Sequence, residues 1–370
     1  MKSKVCFANL RARRDAESLL AKVGRLFDRA GLGQVIARGD LVGIKLHFGE
    51  RGNTAFLRPI FVRQVVDRVK KAGGKPFLVD SNTLYLGSRH NAVDHLTTAI
   101  QNGFAYAVVG APLIIGDGLR GKDYREIEVN LRHCQAVRLA ANVIGADALI
   151  VVSHVKGHLV AGFGGAIKNL AMGGASRGGK QLMHSSLRPE VEAAKCRGCG
   201  NCARWCPAGA IVLAEGRAVL DPKKCEGCGE CPVNCTFGAI KIQWNEATAI
   251  VQERMAEFVY GFHQEKPGKI GYLNFLLDIS PDCDCFAWSD APIVPDIGIL
   301  ASTDPVAIDQ ASYDLVKAQT GFAASALQEN HAPGKDKFAG VHRGVDPTIQ
   351  LAYAERLGLG SRDYELIEVG

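Results

Sequence analysis

Asp40-Leu-Val-Gly-Ile-Lys45-Leu-His47-Phe-Gly49, then Pro59-Ile-Phe-Val-Arg-Gln-Val-Val-Asp-Arg-Val69, then Lys75-Pro-Phe-Leu-Val-Asp80: these consecutive stretches decide the fold class. The outer two are short apolar runs bounded by turn residues, the pattern of buried strands. The middle one carries Phe61, Val62, Val65, Val66 and Val69 on one helical face, with Pro59 in its first turn and Gly73-Gly74 after its end. Strand, helix, strand predicts a parallel pair. Working outward, residues 146–152, 269–279 and 297–301 read as further strands. Residues 15–30 read as an amphipathic helix on Leu19, Val23, Leu26 and Phe27, and residues 91–102, 166–172, 249–261 and 305–319 as further helices. Asp304 caps the 305–319 helix and Pro305 starts it. Residues 106–115 read as strand or turn, Asp346-Pro347 opens a last helix, and residues 364–369 suit an edge strand. The expectation is an α/β fold with a mostly parallel sheet.

That pattern is interrupted by cysteines. Cys196-Arg-Gly-Cys199-Gly-Asn-Cys202-Ala-Arg-Trp-Cys206-Pro207 is a C-x2-C-x2-C-x3-C-P run, and Cys225, Cys228, Cys231 and Cys235 repeat its cysteine spacing. Three thiolates on one glycine-rich loop can cap three corners of a cubane, while the fourth lies too far along and ligates the other cluster. The expected ligand sets are Cys196, Cys199, Cys202 and Cys235 for one [4Fe–4S] cluster, and Cys225, Cys228, Cys231 and Cys206 for the second. Structural zinc pairs two C-x2-C hooks and has no use for four cysteines in a row, twice. Disulfides need an oxidising compartment, and no export signal is read at the start of the chain. Thr236 replaces the proline expected after Cys235, which alters the turn more than the ligand set. Ala210-Ile211 and Ala239-Ile240 follow the last cysteine of each run at matching positions, and the stretch resembles bacterial two-cluster ferredoxins. The domain reading is therefore a discontinuous α/β domain, 1–190 plus 245–370, with a small α+β ferredoxin-like insertion at 191–244.

Composition is globular, 47% hydrophobic and 22% charged over 370 residues. The formal net charge of +6 counts every cysteine as neutral. Two oxidised clusters at about −2 each would bring it to about +2. That balance, with no aromatic-basic stripe, argues against nucleic acid, and no apolar run approaches the ~18 residues of a membrane helix. A cytoplasmic protein is expected.

Ligands in open α/β sheets bind beyond the carboxyl ends of the strands, and here those ends are rich in polar residues. They read as Lys45 and His47; Asp80 and Asn82; His154, Lys156 and His158; Asp278 with Cys283-Asp-Cys285; and Ser302-Thr303-Asp304. Gly162-Phe-Gly164-Gly165-Ala-Ile-Lys168-Asn169 is G-x-G-G-x-x-K and no dinucleotide fingerprint. Its glycines at a helix start, with Lys156, Lys168, Arg177 and Lys180 nearby, suit a small anionic ligand. Cys6 and Cys134 read as buried packing. Cys283 and Cys285 could hold an additional metal, complete a third redox centre or act as a thiol pair.

The segments Lys45-Leu-His-Phe-Gly-Glu, Asp80-Ser-Asn-Thr-Leu-Tyr85, His154-Val-Lys-Gly-His158, Gly162–Asn169, Cys283-Asp-Cys285 and Pro295-Asp-Ile-Gly-Ile-Leu together resemble a family of prokaryotic, uncharacterised Fe–S centre proteins: a domain of unknown function with an inserted bacterial-type two-[4Fe–4S] ferredoxin module. The resemblance implies iron–sulfur binding and a redox role, without a substrate. The residues themselves point to an iron–sulfur oxidoreductase that passes electrons through two clusters to a small anionic substrate. His47, His154, Lys156, Cys283 and Cys285 would be its catalytic groups, and Lys45, Asn82, His158, Gly164, Gly165, Lys168 and Asn169 would bind substrate. Its partner would be an electron donor or acceptor protein such as a ferredoxin. The alternatives are an electron carrier, a subunit of a larger redox complex, or a metal-dependent non-redox enzyme with structural or sensory clusters.

Overall fold

In a computed structural model, which describes residues 2–85, 87–184, 189–206, 208–225, 231, 234–241 and 248–370, the apolar runs become strands of an eight-stranded sheet. They are β1 (Ser3–Asn9), β2 (Leu41–Lys45), β3 (Lys75–Asp80), β4 (Leu113–Ile115), β5 (Ala148–His154), β6 (Ile270–Leu276), β7 (Gly298–Ser302) and β8 (Tyr364–Glu368). The spatial order is β8-β1-β7-β6-β5-β2-β3-β4. From β4 to β6 all neighbours are parallel, and β7 is antiparallel to both β6 and β1. β5 and β6 are buried along their whole length, as parallel strands covered on both faces must be.

The period-two alternation of the strands feeds two cores. Ile150 and Val152 join the layer of α1 (Leu19–Arg29) and α2 (Pro59–Lys71), packing with Val23, Phe27, Phe61 and Val65. Leu149 and Val151 join the opposite layer of α3 (Ala166–Gly174), α4 (Thr248–Glu265), α5 (Pro305–Lys317) and α6 (Ile349–Arg356), with Leu170, Phe258, Val306 and Leu351. Asp304 caps α5 as expected, accepting hydrogen bonds from the amides of Val306 and Ala307 at 2.8 Å.

Five local features depart from expectation. β1 was not anticipated, nor was the hairpin Tyr124–Glu128 with Ala136–Ala140. Residues 106–115 split into a helical turn, Tyr106–Val109, and the strand β4. The strand expected over 40–49 stops at Lys45, so His47 sits beyond it. Because β7 runs against β6, Ser302-Thr303-Asp304 lies at the opposite edge of the sheet from Lys45 and His154 and leaves the shared rim.

Between α3 and α4 the chain makes a separate small unit. Glu190–Val191 pairs antiparallel with Ile240–Lys241, so the segment is closed where it leaves and returns. A hairpin, Ile211–Ala214 with Arg217–Leu220, packs Ile211 and Ala218 with Cys202, Cys231 and Ile240 in a core of its own.

Candidate functional site

The loop after β6 folds onto the ends of β2 and β5, and Asp284 is its anchor. One carboxylate oxygen lies 2.8 Å from His154 Nδ1 and the other 3.0 Å from Lys156 Nζ. His154 Nε2 faces the Leu277 carbonyl at 2.9 Å, so both ring nitrogens are engaged and the imidazole is locked in place. Burial opposes the ionisation of Asp284, but His154 and Lys156 outweigh it and hold its carboxyl well below the usual range. Burial likewise opposes the Lys156 charge, and Asp284 with the neighbouring thiols raises its pKa above the ordinary value.

Lys45, buried at the end of β2, pairs with Asp80 at 3.1 Å and donates to Asn169 Oδ1 at 2.8 Å. Asn169 also donates to the Val152 carbonyl and Ser153 Oγ, both at 3.0 Å, and so ties α3 to the ends of β2 and β5. His47 is half-buried and accepts from the Gly49 amide at Nδ1. Burial, then the Arg89 charge, holds it well below the usual imidazole range.

Three expected site residues serve other ends. Asn82 turns away from this cluster and donates to Asp117 Oδ1 at 2.9 Å and the Gly118 carbonyl at 2.8 Å. His158 Nδ1 accepts from the amides of Val160 and Ala161, closing the hairpin Lys156–His158 with Gly162–Gly164. The start of α3, expected to face an anionic ligand, already has a carboxylate: Asp309 accepts from the amides of Ala166 at 2.7 Å and Ile167 at 2.9 Å. Gly165 is small because a Cβ there would collide with Asp309. Gly164 leaves room for two lysine stems, its Cβ position lying 3.1 Å from Lys168 Cδ and 3.8 Å from Lys156 Cε.

Cys283 and Cys285 do come to this rim. Cys283 is 3% exposed, and its sulfur lies 3.5 Å from Lys168 Nζ. The Phe286 amide donates to the Cys283 carbonyl at 3.0 Å, closing a turn that carries both cysteines. The neighbouring Cys285 thiol lowers the Cys283 pKa well below the ordinary thiol value, and Cys283 in turn raises that of Cys285. Sequence reasoning missed Asp284, whose only signal was its place between the cysteines. It also missed Arg89, which is buried against Glu50 at 3.2 Å, Asp80 at 3.5 Å and the Tyr85 hydroxyl at 2.6 Å.

The cysteine-rich segment builds a second place. Cys196, Cys199 and Cys202 line one recess with Cys235, the last cysteine of the other run. Gly198 and Gly200 wrap it with left-handed backbone, φ 63° and 77°. Amides point at sulfur: Ala218 to Cys196 at 3.3 Å, Ala210 to Cys206 at 3.2 Å and Ala239 to Cys235 at 3.2 Å. The last two are the same i+4 contact in each run. Among the described residues, no three His, Cys, Asp or Glu side chains already converge on one point. Cys228 lies outside the described residues. Lys122 Nζ stands 3.5 Å over the Trp205 ring and contacts Asn234, tying this segment to the α/β body.

The model of a domain of unknown function, DUF362, matches residues 42–314. The chain belongs to the DUF362 family. The matched residues run from β2 to within α5 and include the rim and both cysteine runs. A thylakoid-associated protein of Synechocystis is 30% identical over 160 residues, 42% of this DUF362 chain and 46% of that protein's length. The lactate racemase apoprotein of Thermoanaerobacterium thermosaccharolyticum aligns at 12% identity and a TM-score of 0.38, over 74% of this chain and 51% of that one. A Thermotoga maritima protein aligns at 7% identity and a TM-score of 0.37, over 70% and 50%. Among the described residues no helix is long and apolar enough to cross a membrane.

Proposed function

We propose that this DUF362 protein is an iron–sulfur oxidoreductase acting on a small anionic substrate at the strand ends of the α/β body, with its ferredoxin-like segment inserted at 191–244. The observation that carries the reading is the recess where three cysteines of one run meet the last cysteine of the other. That crossing is what two clusters with exchanged fourth ligands require. The residues fit the group: the thiols line a recess, glycines wrap it, and backbone amides aim at sulfur, as they do around thiolates that carry negative charge. Cys196, Cys199, Cys202 and Cys235 would hold one cluster, and Cys225, Cys228, Cys231 and Cys206 the other. When bound, such clusters supply one-electron transfer to and from a protein partner such as a ferredoxin. Eight reduced thiols suit a cytoplasmic setting.

At the rim, the chain's own residues divide the work. Asp284 fixes His154 and Lys156, and Asp80 neutralises Lys45. Lys168 has no carboxylate partner among the described residues, so it is the cation available to a small anion, with Cys283 beside it.

Anaerobically purified protein should contain about eight iron and eight sulfide per chain, with [4Fe–4S] spectra. Values near four, or zinc in place of iron, refute the assignment. Cys199→Ser should remove one cluster and destabilise the other through the exchanged ligands.

A further inference from the structure

Three buried cations at the rim face carboxylates, Lys45 with Asp80, Lys156 with Asp284 and Arg89 with Glu50, and a fourth, Lys180, is held by Ser81 Oγ and the carbonyls of Asn82 and Ala175. Lys168 faces sulfur instead, 3.5 Å from Cys283. A buried sulfur is stabilised as thiolate by an ammonium beside it, and the half-buried Lys168 is the ammonium beside Cys283. The turn closed by Phe286 presents Cys285 to it from two residues on, with Asp284 between them pointing the other way, toward His154 and Lys156. The central residue therefore clamps the loop, and the two cysteines flank it on one closed turn.

We propose that Cys283 and Cys285 form a reversible dithiol–disulfide couple, with Cys283 as the thiolate and Lys168 as the residue that sets its potential. In oxidation, the Cys283 thiolate and the Cys285 thiol lose two electrons and one proton and form one S–S bond. Reduction takes two electrons, delivered singly by a reduced iron–sulfur carrier, and one proton returning to Cys285. Oxidation also removes the thiolate from Lys168, so an anionic ligand and the thiolate compete for the same ammonium. The rim is then a two-electron site served by a one-electron source.

The inference rests on the functional reading only for the origin of the electrons; the couple itself is tested without it. The full-length protein is equilibrated anaerobically in buffers of reduced and oxidised dithiothreitol. Samples are quenched in acid, denatured, alkylated and digested with trypsin. The peptide 270–317 contains Cys283 and Cys285 and no other cysteine, so cluster cysteines do not intrude. The expected result is one transition between a doubly alkylated peptide and an unalkylated one lighter by two hydrogens. Losing the ammonium weakens the thiolate form, so Lys168→Gln should shift the equilibrium toward disulfide by about tenfold, about 30 mV more reducing. Lys168→Arg should stay near wild type. Thermal unfolding of each variant checks that the fold persists. Independent alkylation of the two thiols at every poise overturns the proposal, as does an unchanged midpoint in a folded Lys168→Gln. Iron and sulfide measured on the same samples separate the two readings: a working couple without clusters faults only the cluster assignment, and full clusters without a couple fault only this one.

Discussion

Asp80 serves two cations at once, Lys45 at 3.1 Å and Arg89 at 3.5 Å, from a fully buried position. Burial opposes its ionisation, but Lys45, His95, His47 and Arg89 hold its pKa well below the ordinary value. The sign follows from linkage: a depressed carboxylate contributes stability above its unfolded pKa of about 3.9 and loses it as pH falls toward the folded value. Wild-type melting temperature should therefore fall steeply below about pH 4. Asp80→Asn should cost about 3–5 kcal/mol at neutral pH, because it leaves the buried Lys45 without its carboxylate, and should flatten that acid limb. A neutral-pH stability equal to wild type contradicts the pairing. At this scale the sequence was half legible. Lys45, His154, Lys156 and Cys283 announced themselves as unusual residues at strand ends. Asp284, Arg89 and Asp309 did not, because a charged side chain in a loop or a helix looks the same whether it caps, pairs or faces water.

The start of α3 shows how an element is fixed by a partner distant in sequence. Gly165 stands at its N-cap without a side chain to cap it, and the α5 residue Asp309 supplies the carboxylate. Asn274 Nδ2 adds a third donor to Asp309 at 2.7 Å. Asp309→Ala should destabilise the protein by about 2–4 kcal/mol, since it strands two buried amides and a buried side-chain amide. Chemical denaturation at neutral pH measures this, and a loss under about 0.5 kcal/mol would refute the cap. The helix α2 was legible by its single period, and β2, β3, β5 and β6 as short apolar runs bounded by turn residues. β1 was not: Val5 and Phe7 face one core while Cys6 and Ala8 face the other, so apolar residues run together with no flanking turn signal. The reversal of β7 was equally hidden, since strand direction leaves no mark in composition.

Across the whole molecule, the cysteine-rich segment and the α/β body keep separate apolar cores. The pairing of Glu190–Val191 with Ile240–Lys241 closes the segment at its base. Replacing residues 191–244 with a short Gly/Ser linker should therefore leave a soluble body that unfolds in one cooperative transition. A broad, gradual melt would mean that the body draws on the segment for its core. The α/β class was readable from alternating periods alone, and the cysteine spacing marked where the alternation breaks.

The place of β1 also has a consequence for the order in which the chain acquires its shape. β2, β3, β4 and β5 all lie within residues 41–154 and pair with near neighbours, whereas β1 pairs with β7, residues 298–302, and β8, residues 364–368. β1 cannot pair until residues 298–302 and 364–368 have been made. At roughly 5–20 residues per second, that is a wait on the order of 15–60 s on the ribosome. Pairs so far apart in sequence carry a high closure cost and form late. The rim ends of β2 and β5 are therefore expected in place while the far edge of the sheet is still open, and that edge is sealed late, when β1 finds β7 and β8.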